Sequence, residues 1–131
     1  MPALTKTQID ELQTLLRDRH AKLLEEIRDE LARSGDQHYI DLAGAVTDLG
    51  DDSVADMLAD LEAAHVDRQV NEVRDVEAAL ARIKSGEYGV CIDCGEHIVF
   101  KRLQAYPTAK RCIQCQEQRE KHYAGEGQHS L

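Results

Sequence analysis

The chain has 131 residues, one domain's worth, yet carries one Phe, four Tyr and no Trp, which excludes a thick globular core. Hydrophobic residues make up 42% of it and charged residues 31%, a balance that suits long helices packed along a narrow seam. The net charge of −9 sits almost wholly in residues 35–66, where Asp36, Asp41, Asp48, Asp51, Asp52, Asp56, Asp60 and Glu62 meet no Lys or Arg, a poor surface for nucleic-acid phosphates.

The N-terminus, "MPALTKTQIDEL", has no cationic start followed by an apolar run, and no stretch approaches the roughly eighteen apolar residues of a membrane span. A soluble, cytoplasmic protein is expected. From Thr5 to Ser34 the pattern is helical: Leu12, Leu15, Leu16, Leu23, Ile27 and Leu31 recur at three- and four-residue intervals between charged positions. "TKTQ" and "TQID" each offer a Thr N-cap followed three residues later by Gln or an acid. "SGD" at 34–36 reads as a stop or kink, after which "QHYIDLAGAV" resumes a helical path for about two turns.

A second apolar stripe runs through Val54, Leu58, Leu61, His65, Val66, Val70, Val73, Val76, Leu80 and Ile83 until "SGEYG" ends it. "SVAD" at 53–56 is a capping box that starts this helix just after the acidic "DLGDD", so the helix runs Ser53 to Lys84 and spans about 48 Å. His65 on the stripe reads as a packed histidine rather than a ligand. A rod with one apolar stripe needs a partner, and the first run supplies it as an antiparallel coiled-coil hairpin turning near Thr47 to Asp52. A dimeric bundle is the competing arrangement; a monomer is expected. The acidic block then lies at the hairpin tip, either as a working surface or as a solvated loop.

All four cysteines fall in "CIDCGEHIVFKRLQAYPTAKRCIQC", two C-x-x-C pairs separated by seventeen residues. In a reducing cytosol such pairs point to metal ligands or redox centres rather than structural disulfides. Cys91 and Cys94 from one knuckle with Cys112 and Cys115 from the other complete a zinc tetrahedron, and four sulfurs leave no position for water or substrate. One structural Zn²⁺ and no enzyme activity follow. Lys101, Arg102, Lys110 and Arg111 lie between the knuckles and can offset the thiolate charge. A thioredoxin-like redox pair fits poorly, because that motif is a single C-x-x-C between a strand and a helix. The segment from residue 89 on is nearly neutral and lacks an Arg-rich helix, so no sequence-specific DNA binding is expected. The expected architecture is mainly α: residues 1–86 form a long antiparallel helical hairpin with its acidic tip near 47–53, and residues 87–131 a C4 zinc finger, a short terminal helix and a disordered tail.

The helix running into "GEYGVCIDCG", followed by "RLQAYPTAKRCIQC", resembles the DksA/TraR family of bacterial zinc-finger transcription regulators over about residues 40–120. The resemblance implies a coiled-coil hairpin on a C4 finger, and a partner, RNA polymerase, entered through its secondary channel. The family's tip signature, counted back without gaps, falls on Asp48, Asp51 and Ser53. Arg68 matches a basic position of the family's second helix, a contact for polymerase or nucleotide. The positions at which responders to the alarmone ppGpp carry basic residues fall on Asp75, Tyr106 and Gln116, none of them basic, which argues against a ppGpp response. Full-length members carry a further N-terminal helical segment; about a dozen residues precede Leu12 here, which implies a reduced contact from that end. The alternative to a polymerase regulator is a zinc-finger adaptor for another protein partner.

Overall fold

A computed structural model of the chain describes residues 3–33, 37–48 and 64–129. Its helices are α1 (Lys6–Arg33), α2 (Gln37–Asp48), α3 (Ala64–Ser85), α4 (Phe100–Ala105) and α5 (Ile113–His129). Among the described residues there is no strand beyond one isolated antiparallel bridge, Val90 to His97.

Helix α1 starts at the first of the two capping boxes that the sequence offers, Thr5–Gln8. The Gln8 backbone N–H donates to Thr5 Oγ1 at 3.1 Å, and the Thr5 N–H donates back to Gln8 Oε1 at 2.9 Å, so two N-terminal donors are satisfied reciprocally. Leu12, Leu16, Leu23, Ile27 and Leu31 are buried along one face. They meet Val70, Val73, Val76 and Ala79 of α3, with Leu80 and Ile83 partly buried beside them. The two helices run antiparallel: Leu4, just before α1, touches Gly89, just beyond the end of α3. Arg19 pairs with Glu72, and His20 Nε2 lies 2.9 Å from Glu77 Oε2, closing the seam from its flanks.

The helix after residues 34–36 runs three turns rather than two, and α2 packs against α1, with Ala43 buried. The expected second helix is described from Ala64 to Ser85. Its start at Ser53, and Val54, Leu58 and Leu61 of its stripe, lie outside the described residues, as does the side chain of His65. Its end is a Schellman turn: the Gly86 N–H donates to the Ile83 carbonyl and the Glu87 N–H to the Arg82 carbonyl. Gly86 has φ 82°, a left-handed conformation that a side chain would strain. At the far end, α5 continues through "GEGQH" to His129, where the sequence reading expected a disordered tail; no proline interrupts the helix that Ile113 begins.

Leu15 departs from the expected stripe, at 40% exposed. It sits one residue, about 100°, from Leu16 on the helix, outside the seam that Leu12, Leu16 and Leu23 define. Spacing alone does not separate it from them. Leu23→Ala should therefore cost about 2–5 kcal/mol through transfer and cavity terms, and Leu15→Ala less than about 1 kcal/mol, as read from urea denaturation midpoints at constant slope.

Candidate metal centre at the hairpin base

After Gly86 the chain enters a tight hairpin that shapes the first knuckle. The Cys91 N–H donates to the Glu96 carbonyl at 2.8 Å, the Gly95 N–H to the Cys91 carbonyl at 3.0 Å, and the Ile98 N–H to the Gly89 carbonyl at 2.8 Å. Gly89 serves two needs at once. Its φ is 83°, and a Cβ there would stand 2.8 Å from Leu4 Cδ1, so the absent side chain lets the N-terminal segment lie on the finger. The second knuckle opens α5, where the Gln116 N–H donates to the Cys112 carbonyl at 3.0 Å.

These two turns bring Cys91, Cys94, Cys112 and Cys115 together, with all four Sγ atoms within 4.8 Å of one another. Zinc–thiolate bonds of about 2.3 Å in a tetrahedron require sulfur–sulfur edges of about 3.8 Å. Cys94 Sγ and Cys112 Sγ are 3.8 Å apart. Geometry and donor set both fit zinc, and the site is closed: four sulfurs fill four positions, so the metal is structural.

The thiols themselves show why an ion is needed. Burial pushes the Cys91 thiol up, but hydrogen bonds to its sulfur from the backbone of Cys94, Cys112 and Asp93, with one from the Cys94 side chain, outweigh it and bring it down to about 6. The Cys115 thiol is pushed far up, first by its bond to Cys112, then by burial and by the other sulfurs. One thiolate forms readily; four at this spacing repel one another and require a dication among them.

The surrounding polar groups hold the knuckles in register. Arg111, next to Cys112, is the one buried charged side chain among the described residues, and its Nε donates to Asp93 Oδ2 of the first knuckle at 2.8 Å. Arg102 Nε donates to the Arg111 carbonyl at 3.0 Å, and the Ile92 N–H to the Lys110 carbonyl at 2.9 Å. Tyr88 Oη donates to the Pro107 carbonyl at 2.8 Å. Burial pushes the Tyr88 hydroxyl up to about 12 against the opposing pull of Arg82, so it stays a neutral donor, and the stability it lends is lost only as pH rises from about 10 through 12. Sequence reading placed Arg111 among cations that offset the thiolates; its partnership with Asp93 joins residues 18 apart, and no local pattern announces it.

Beside the finger, a cavity of about 510 Å³ opens between α1, α3 and the segment after α4. Asp75 and Tyr106, two of the three positions singled out in the sequence, both line it. The third, Gln116, does not; its side chain donates to Glu120. Arg68 stands 92% exposed, its Nε 3.9 Å from Glu72. Asp48 is the last residue of α2, and Asp51 and Ser53 lie outside the described residues.

The sequence model of the prokaryotic dksA/traR C4-type zinc finger matches residues 86–121. The RNA polymerase-binding transcription factor DksA of Haemophilus influenzae is 31% identical over 125 residues, covering 93% of this chain and 83% of that protein. The chain belongs to the DksA/TraR family. The Escherichia coli factor of the same name is 34% identical over 103 residues, which span 76% of this chain and 68% of the relative. The solved structure of transcription factor DksA2 from Pseudomonas aeruginosa superposes with a TM-score of 0.61 at 23% identity, over 91% of this chain and 88% of the other, and so shares the fold. Family membership and the sulfur geometry agree on one structural zinc. No helix among the described residues is long and apolar enough to cross a membrane.

Purified protein should carry about one zinc per chain. Because protons compete with the metal for sulfur, zinc should be retained at neutral pH and released as pH falls well below 6, measured by a chromogenic chelator. Cys112→Ser should abolish binding. Asp93→Asn should leave all four ligands present but weaken retention about 10–100-fold, as is usual for groups that orient metal ligands.

Proposed function

We propose that this protein binds RNA polymerase and regulates transcription by inserting its helical hairpin into the secondary channel, with the zinc finger (residues 87–131) as the base of the hairpin (residues 1–86). The observation that carries this reading is the 31% identity to an RNA polymerase-binding factor over 93% of the chain, hairpin and finger together, rather than over the finger alone. A match confined to the finger would suit an adaptor for another protein equally well.

The working surface in this reading is the acidic segment, with Asp48 and Asp51 as its carboxylates and Ser53 beside them. Segment 35–66 holds eight acids and no Lys or Arg, a charge pattern suited to a recessed site lined by cations or holding a metal ion. Arg68, almost fully exposed, is free to meet polymerase from the hairpin's side. The protein acts as a cytoplasmic monomer, without catalysis and without sequence-specific contacts to DNA.

Asp48→Asn with Asp51→Asn should abolish the transcriptional effect in vitro while changing melting by less than the equivalent of about 0.5 kcal/mol and leaving affinity for core polymerase nearly intact. Wild-type transcription from the double variant would reduce the segment to a solvated loop. Absence of binding to core polymerase, in competition with a known secondary-channel factor, would favour the adaptor instead.

The alarmone ppGpp carries several negative charges and needs Lys or Arg neighbours for tight binding. Asp75 and Tyr106 offer none, and Asp75 repels it. The expected outcome is equal activity with and without ppGpp, assayed on polymerase lacking its own ppGpp site; severalfold potentiation would contradict it.

A further inference from the structure

The cavity between α1, α3 and the segment after α4 has a chemistry that the zinc site does not use. Its apolar lining includes Leu15, at 40% exposed, Val76, Pro107 and Tyr106, at 64% exposed, beside the polar Gln104 and Thr108. Tyr106 and Leu15 line the same cavity and both are exposed, so an aromatic and an aliphatic side chain are open to an occupant. Two carboxylates, Glu72 and Asp75, also line it, and they are not equivalent. Glu72 is neutralised by Arg19, which also lines the cavity. Asp75 is exposed and takes no hydrogen bond or ion pair from the described residues; Arg82, two turns along α3, acts on it only through space. The lining therefore carries one uncompensated negative charge.

An aromatic ring, an aliphatic side chain and a single free carboxylate complement one side-chain type well. A guanidinium stacks on an aromatic face, pairs with a carboxylate through its planar fork, and lays its methylene stem on apolar surface. A phosphate group would find no cation here that is not already paired.

We propose that this groove receives an arginine side chain of RNA polymerase, pairing with Asp75 and stacking on Tyr106, as a protein–protein contact at the hairpin base separate from the acidic segment. The assignment of the occupant to polymerase rests on the function proposed above; the guanidinium chemistry of the groove does not. Asp75 and Tyr106 are both exposed, so their substitution leaves the fold intact.

The test has two arms on the full-length, zinc-loaded protein. In the first, the peptide acetyl-Leu-Arg-Leu-amide is titrated by NMR, against the same peptide with citrulline in place of arginine and against inorganic pyrophosphate at equal ionic strength. Saturable shifts at Asp75, Tyr106 and Leu15 are expected with arginine alone. Asp75→Asn should weaken them about fivefold and Tyr106→Ala about two- to fivefold. Equal shifts with citrulline, stronger shifts with pyrophosphate, or no saturation would overturn the groove's chemistry. In the second arm, Asp75→Asn should weaken binding to core polymerase by a similar factor. Unchanged polymerase affinity beside a positive peptide titration would overturn the assignment to polymerase. Wild-type protein that does not bind polymerase at all would sink the proposed function, with the first arm still judging the groove.

Discussion

Four sulfur atoms within 4.8 Å of one another are the constraint on which the base of this molecule depends. They come from two turns seventeen residues apart in sequence, and their mutual repulsion as thiolates would drive those turns apart without a cation between them. The finger has little else to hold it. Ile98 and Leu103 are its fully buried large aliphatics, each worth about 1.5–3 kcal/mol, while every ordered residue loses about 1–2 kcal/mol of backbone entropy. A structural zinc contributes about 10–16 kcal/mol in peptides of this kind, enough to decide whether the segment folds. Once the knuckles are fixed, the Asp93–Arg111 pair and the Tyr88–Pro107 hydrogen bond become local and can tighten the loop between them.

The finger in turn organises the hairpin's open end. The Schellman turn at Gly86 sends the chain from α3 into the first knuckle, and Leu4 rests on Gly89 and beside Leu103, so both arms are fastened at the same place. Farther along, the arms hold each other without help from the metal, through Leu16, Leu23 and Ile27 against Val70, Val73 and Val76. The molecule thus divides its stability between a metal-dependent base and a metal-independent seam. That division leaves room at the junction for the groove of Asp75 and Tyr106.

Much of this was legible in the sequence because the signals are local. The Thr5–Gln8 capping box, the Leu12 to Leu31 stripe and the ligand set Cys91, Cys94, Cys112 and Cys115 each follow from spacing and residue type, and the structure carries all three. What escaped depends on tertiary placement. Ala79 is fully buried although a methyl group gives little hydropathic signal, and Leu15 is exposed although the spacing gave it a place on the stripe. The packing of α2 on α1, the Asp93–Arg111 pair and the cavity join residues from separate segments that no window contains. The helical path of α5 through its two glycines runs against their low propensity.

The most direct test of the account is amide hydrogen exchange followed by mass spectrometry on the zinc-loaded protein and on protein stripped by a strong chelator under reducing conditions. The account predicts that protection collapses across residues 87–121 on zinc removal and falls at Leu4 to Leu12 and at the end of α3, while Leu23 to Leu31 and Val70 to Val76 keep most of theirs. Undiminished protection of the finger without metal, or loss of protection along the entire seam, would contradict it.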